Sequence, residues 1–290
     1  MRVPSALEWW RGEPGGGAWL DRLPRLVAEC AELWSLRLGT PFEAHISYVA
    51  AAELADGRRA VLKVNFPEPE SEREPDALLH WDGEGAARLL DHDPERRALL
   101  VERCEPGTQL WEVADEEEAN GVAASVLRRL WRRPPDGHGF RLLAEQAASW
   151  ADELPARWEH FGRPFERALL DEAVGFLREA GPAQGEPVLL HQDFHGGNVL
   201  RATREPWLAI DPKPLVGERE FDTASLLRDR RPELLGDPGA TARVRRRLDQ
   251  LAAGLDLDRE RMLGWGVAHA LAWNGDEGMI ACARLLAAAR

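Results

Sequence analysis

The chain has 290 residues, with 50 acidic against 37 basic side chains and a formal net charge of -13. That length supports one or two domains whose core needs no disulfide or structural metal, and the acidic balance argues against broad electrostatic binding to nucleic acid or anionic membranes. Cys30, Cys104 and Cys282 are far apart with no Cys-x-x-Cys pair, so neither a disulfide framework nor a cysteine-rich zinc site is suggested. The first residues lack a basic stretch followed by an apolar run, and no later segment is apolar for long enough to span a bilayer. A soluble cytoplasmic protein is expected.

In chain order, Leu20, Leu23, Leu26, Val27, Cys30, Leu33 and Trp34 recur at helical steps and predict a helix before residue 40. Gly15 to Gly17 precede it without the Lys-Ser or Lys-Thr of a phosphate loop, so they read as a turn. Ile46 to Ala50 and Ala60 to Val64 are β-rich, and Asp56-Gly57 between them is a hairpin signal. A proline-rich acidic link, Glu68 to Glu72, leads to a predicted helix from Arg73 or Pro75 to Leu90, and Arg97 to Arg103 reads as a buried strand. After the turn Glu105-Pro106-Gly107 the pattern is mainly helical, with short strands predicted at 188–190, 199–200 and 208–210. The reading is α+β: a small strand-rich N-terminal lobe, 1–104, for nucleotide binding, and a larger helical lobe, 105–290, for catalysis and substrate binding. Arg243 to Arg247, four arginines in five residues, reads as a solvated helix face.

Of the 37 basic residues only Lys63 and Lys213 are lysine. Base composition can exchange Lys for Arg over a surface but does not choose where lysine stays, and a compact ammonium point charge is one reason for it to stay. The densest polar segment is His191-Gln192-Asp193-Phe194-His195-Gly196-Gly197-Asn198, between two apolar runs, and a third run delivers Asp211 to a turn. Buried strands that end in so many polar groups must satisfy or use them, and a hairpin would bring Asp193, Asn198 and Asp211 to one site.

Three chemistries compete for that site. Asp193 can accept a hydroxyl proton while Asn198 and Asp211 supply hard oxygen ligands to Mg²⁺. Alternatively His191, Asp193 and His195 form a hydrolytic zinc cluster. In the third reading the histidines only brace a turn. Lys63 favours the first: on a strand, it can bridge nucleotide phosphates, and Glu74 near the start of the next helix can aim its ammonium. Backbone groups near Glu102 and Cys104 can bind the edge of adenine.

The order of Lys63, Glu74, the strand Leu100 to Cys104, the loop His191 to Asn198, and Asp211 resembles the antibiotic phosphotransferases with a protein-kinase-like fold. Trp81 to Ala86 (WDGEGA) and Leu208 to Pro214 (LAIDPKP) resemble, more narrowly, the aminoglycoside/hydroxyurea antibiotic resistance kinases, which include streptomycin 6-phosphotransferases; the likeness runs from about Leu38 to the C-terminus. It implies a two-lobed fold and phosphoryl transfer to a hydroxyl, with ATP (GTP being undistinguished) and Mg²⁺ as cofactors. Asp193 takes the catalytic-base position, Asn198 and Asp211 the metal positions, Lys63 and Glu74 the phosphate-positioning pair, and Asp222, with His191, a bracing role behind the loop. The phosphate-covering loop falls at Pro41 to Ser47, where relatives are richer in glycine, so contact rests on the amides of Ile46 or Ser47; Gln192 stands where Gly is common.

The implied partner is a small cationic aminoglycoside, with no nucleic acid or membrane, and a monomer is expected. Lys213, Glu218, Asn274 and Glu277 are the candidate substrate residues, while Trp265 and Trp273, eight apart, read as core. The alternatives are a kinase for hydroxyurea or another small metabolite, and a catalytically weak nucleotide-binding protein.

Overall fold

In a computed structural model, which describes residues 2–273 and 275–290, the chain divides into two compact units, Met1–Gly107 and Thr108–Arg290. The first begins with a 3-10 helix, Ser5–Gly12, and α1, Gly16–Leu33. Strands β1 (Arg37–Pro41), β2 (Tyr48–Glu53) and β3 (Arg59–Val64) follow, then α2 (Glu74–Trp81), β4 (Leu89–Asp93) and β5 (Ala98–Glu102). The sheet order is β1-β2-β3-β5-β4, with every neighbouring pair antiparallel.

The two faces of this sheet differ because strand side chains alternate. Tyr48, Ala50, Ala52, Ala60, Leu62 and Val64 face a core closed by Leu7, Trp10 and Trp19 with the apolar stripe of α1. Each fully buried leucine there contributes about 1.5–3 kcal/mol. Val49, Ala51, Val61 and Lys63 lie on the opposite face, where Val49 pairs with Lys63 and Ala51 with Val61.

Asp56-Gly57 turns the β2–β3 hairpin as expected, although β2 starts at Tyr48 rather than Ile46. The helix predicted to Leu90 stops at Trp81, because Asp82, Gly83 and Gly85 all take positive φ. Leu89 instead opens β4, an edge strand whose alternating Asp and His residues give no apolar run. The other edge strand, β1, holds Gly39 and Pro41 and likewise has no signal in the sequence pattern.

The second unit contains α3 (Glu116–Leu130), β6 (Arg141–Leu142), α4 (Leu143–His160) and α5 (Arg167–Ala180). Strands β7 (Val188–Leu190), β8 (Val199–Arg201), β9 (Trp207–Ala209) and β10 (Leu215–Gly217) come next, followed by α6 (Ala224–Leu227), α7 (Arg231–Gly236), α8 (Ala240–Leu255), α9 (Arg259–Trp273) and α10 (Glu277–Ala287). β8 and β9 form an antiparallel hairpin, and β10 joins β6 and β7 in a second small sheet. After its charged first turn, helix α9 is buried at every residue from Met262 to Ala272, as a helix packed all round requires. The arginine run lies on α8, and it is not wholly solvated. Arg247 is 2% exposed and donates to Glu116 and to the carbonyls of Leu226, Leu227 and Asp229.

The three cysteines are buried, and no described helix is long and apolar enough to cross a membrane.

Candidate active site

Each unit carries a polar cluster built on the residues singled out in the sequence. In the first, Lys63 is 7% exposed and its Nζ lies 2.6 and 2.7 Å from the two oxygens of Glu74, in the first turn of α2. A buried ammonium requires a carboxylate this close. Asn65 extends the cluster: its Nδ2 donates to Glu74 Oε2 at 2.8 Å, and its Oδ1 accepts from the Ser47 hydroxyl at 2.7 Å. The sequence reading missed Asn65, although the alternation that places residue 63 on this face also places residue 65 there. Ser47 therefore has a side-chain role beyond the amide contact expected of it.

At the end of β5, the Glu102 amide donates to the Arg88 carbonyl at 2.8 Å and the Glu102 carboxylate accepts from the Arg88 amide at 3.0 Å. That amide is engaged within its own unit, so the adenine-edge expectation for Glu102 and Cys104 does not include it. Cys104 is 8% exposed.

In the second unit β7 runs into the loop His191 to Asn198, and β8 leaves it. Asp222 holds the loop from behind. Its Oδ2 accepts from the His191 amide and the Trp131 indole N–H at 3.0 Å each, and its Oδ1 accepts from the Gln192 amide at 2.7 Å. Burial pushes the Asp222 carboxyl up, against His191 and those three donors. Burial pushes the His191 imidazole down, with nearby Asp222 and Asp193 opposing it. His191 Nε2 lies 2.9 Å from the Ile210 carbonyl, which can only accept, so that nitrogen carries the proton.

Gln192 has φ +68, the left-handed region that favours glycine. Here the side chain is retained by Arg141, which donates to Gln192 Oε1 at 3.0 Å.

Asp193 keeps 27% of its side chain exposed. Asn198 Nδ2 donates to the Asp193 carbonyl at 3.0 Å, leaving Asn198 Oδ1 as the oxygen turned away from that bond. The Ile210 amide donates to the Asn198 carbonyl at 2.9 Å and the Lys213 amide to the His191 carbonyl at 3.0 Å. These two bonds tie residues 210 and 213, which flank Asp211, to the loop, and Asp211 itself takes φ +58.

Trp111 and Asp229 are additions that the sequence reading missed. Asp229 Oδ2 accepts from the Gly196 amide at 2.9 Å, and a Cβ on Gly197 would fall 2.7 Å from the Trp111 ring, so a larger residue there would displace the indole. Their partners are distant in sequence, which leaves no local signal. His195 Nδ1 accepts from the Gly197 amide at 3.1 Å, and its Nε2 is 3.8 Å from Asp193 Oδ1. The zinc reading fails: His191 is fully buried on the Ile210 carbonyl, and no group of three or more His, Cys, Asp or Glu among the described residues could hold a metal ion.

The substrate candidates separate. Glu218 is corrected: it is 2% exposed, both its oxygens lie within 3.1 Å of Arg261, and it also accepts from the Trp265 indole and, at 3.3 Å, from the Gly185 amide. It is an internal ion pair with no oxygen to offer a substrate. Lys213 Nζ lies 5.4 Å from the centroid of the Trp273 ring, a cation–π contact. Trp265 is core, at 0% exposed, whereas Trp273 is half-buried. Glu277 is exposed at the start of α10. Asn274 lies outside the described residues.

A β-sheet unit with a buried Lys–Glu pair, followed by a helical unit with an Asp-to-Asn loop and a later Asp, is the order of a protein-kinase-like phosphotransferase, and solved structures agree on the fold. An aminoglycoside phosphotransferase in ternary complex with AMP-PNP and hygromycin B matches with a TM-score of 0.61 and 15% identity, covering 92% of this chain and 98% of that one. The choline kinase LicA of Streptococcus pneumoniae matches at TM-score 0.61 and 11% identity, over 92% and 99% of the two chains. Residues 34–278 match the family described as aminoglycoside/hydroxyurea antibiotic resistance kinase, and the chain belongs to it. It is 40% identical to streptomycin 6-kinase of Streptomyces griseus, covering 98% of this chain and 94% of the relative. It is 37% identical to hydroxyurea phosphotransferase of Kitasatospora aureofaciens, covering 97% and 82%.

Proposed function

We propose that the protein transfers the terminal phosphoryl group of ATP to a hydroxyl of streptomycin, at position 6 as in the names of its relatives. The observation that carries this reading is the loop His191 to Asn198. Asp193 presents a partly exposed carboxylate, while Asp222 fixes the backbone before it and Asn198 holds its carbonyl. Such a carboxylate can orient the acceptor hydroxyl and take its proton as the phosphorus–oxygen bond forms.

Lys63, aimed by Glu74, binds phosphate oxygens, and the Val49, Ala51 and Val61 face of the sheet with the Glu102 carbonyl and the backbone at Cys104 receives the nucleobase. The oxygen donors Asn198 Oδ1 and Asp211 match the hard-ligand preference of Mg²⁺, with the Asn198 nitrogen already committed to Asp193. Bound there, Mg²⁺ would neutralise phosphate charge. The cationic acceptor is met by the acidic balance of the chain and by Glu277, with Lys213 and Asn274 as the other proposed contacts. The units Met1–Gly107 and Thr108–Arg290 serve as nucleotide-binding and catalytic lobes of a cytoplasmic monomer.

The test incubates purified protein with Mg²⁺ and ATP against streptomycin, hygromycin B and hydroxyurea. Products are read by mass, and the phosphate is located by phosphorus–proton correlation. Streptomycin phosphorylated at position 6 is expected. Transfer to hydroxyurea alone would reassign the acceptor, and nucleotide binding without transfer would leave only a binding protein.

A further inference from the structure

The phosphate-covering loop is poor in glycine, yet it is held in place from outside. Between β1 and β2 it reads Phe42-Glu43-Ala44-His45-Ile46-Ser47. The Trp9 indole N–H donates to the His45 carbonyl at 2.7 Å, and the Trp10 indole N–H to the Ile46 carbonyl at 2.9 Å. A third bond, from the Ser47 hydroxyl to Asn65 at 2.7 Å, links the same loop through Asn65 and Glu74 to Lys63.

The indoles are themselves fixed. Trp10 stacks on Phe66 with centroids 3.9 Å apart and on Trp9 at 4.2 Å. Gly16 approaches Trp10 so closely that an added Cβ would fall 1.8 Å from its carbonyl oxygen.

In a planar trans peptide the carbonyl of one residue and the N–H of the next point in opposite directions. Drawing the His45 and Ile46 carbonyls to the tryptophans therefore turns the Ile46 and Ser47 amides away from them. Trp10 belongs to the core on the Tyr48 and Ala50 face of the sheet, so the Ser47 amide is turned away from that core and the Ile46 amide away from Trp9. Neither has a backbone partner among the described residues.

We propose that Trp9 and Trp10 are positioning residues that orient the Ile46 and Ser47 amides towards the β- and γ-phosphates of the nucleotide, with Ser47–Asn65 coupling that orientation to Lys63. Elsewhere glycine lets a backbone approach phosphate; here two indole N–H donors fix a stiffer backbone in the required orientation. Both tryptophans precede the residues that match the family, 34–278. The inference rests on the kinase reading but not on the identity of the acceptor.

The test measures binding of AMP, ADP and AMP-PNP to the full chain by calorimetry in the presence of Mg²⁺, with no aminoglycoside. The variants are Trp9→Phe, Trp10→Phe, Ser47→Ala and Ser47→Thr. Phenylalanine keeps the ring contact and removes the donor, so each tryptophan variant should bind AMP-PNP about fivefold more weakly, the worth of one hydrogen bond, with AMP affinity unchanged. Ser47→Ala should show the same phosphate-dependent loss and Ser47→Thr should restore binding. A merely structural role would weaken AMP and AMP-PNP equally, and that result overturns the proposal. Trp9 is 46% exposed, so Trp9→Phe folds even if Trp10→Phe does not, and unchanged AMP-PNP affinity in it also overturns the proposal. An unaltered chain that binds no AMP-PNP would remove the kinase reading, and the clamp with it. If AMP-PNP behaves as expected and streptomycin is not phosphorylated, the clamp stands and only the acceptor assignment falls.

Discussion

Replacing Asp222 by asparagine changes one oxygen to an NH₂ group at a site with three inward-facing donors. Asp222 is 0% exposed, and its Oδ2 takes two of those donors while Oδ1 takes the Gln192 amide. The asparagine oxygen can keep the pair at Oδ2, but its nitrogen then faces the Gln192 N–H, donor against donor. The loss of one hydrogen bond to a charged acceptor is about 1.5–3 kcal/mol, and a buried unsatisfied donor adds about 1–3 kcal/mol. A total near 4 kcal/mol is expected, partly offset because burial itself disfavours the carboxylate. With a urea m-value of about 2–3 kcal/mol/M, the unfolding midpoint should fall by about 1.5 M. The Gln192 backbone, no longer held at positive φ, should also release Asp193, so turnover in the folded fraction falls at least tenfold. A midpoint shift below about 0.4 M, equivalent to less than 1 kcal/mol at that m-value, would refute the argument that Asp222 is what holds the loop.

Three further expectations follow from named contacts. Lys63→Arg should fold, because a guanidinium still pairs with Glu74, but should lose about a hundredfold in kcat/KM, roughly 2.7 kcal/mol of transition-state stabilisation; a loss under tenfold in steady-state kinetics would contradict the point-charge role. His269 is fully buried and pushed well below its ordinary value by burial and by Arg228, whose Nη2 lies 2.7 Å from His269 Nδ1. The unfolded chain takes up a proton at this residue below about pH 6.5 and the folded chain does not, so its contribution is complete above that pH. As pH falls further it is lost at up to about 1.4 kcal/mol per unit. Chemical denaturation from pH 7 to pH 5 should show a shallower fall for His269→Gln than for the unaltered chain, and identical slopes would contradict the assignment. Gln192→Gly relieves a strained φ but loses the Arg141 contact, so its stability should change by less than about 1 kcal/mol; a larger loss by denaturation would show that Arg141 matters more than the backbone.

What is legible in the sequence is short-range. Asp56-Gly57 marks its hairpin, and the three apolar runs around residues 188–210 mark β7, which leads into the loop, and the β8–β9 hairpin, which leads to Asp211. Lys63 and Glu74 are only eleven residues apart, close enough for a strand and the helix after it to pair them. The edge strands β1 and β4 escape because exposed edges carry no apolar alternation. Glu218 reads as an available carboxylate because its partner Arg261 is 43 residues away, and Arg247 reads as solvated because Glu116 is 131 residues away. The contacts that pin the functional loops, from Trp9 to His45 and from Asp229 to Gly196, are of the same kind. Nothing in local periodicity reports a single polar bond between distant segments.

The most direct test of the account is the mass of streptomycin after incubation with the purified chain, Mg²⁺ and ATP, run beside Asp193→Ala. The account predicts the gain of one phosphoryl group with the unaltered protein and none above background with the variant. Equal phosphorylation by both would contradict it, because the carboxylate on which the proposed chemistry turns would then be dispensable.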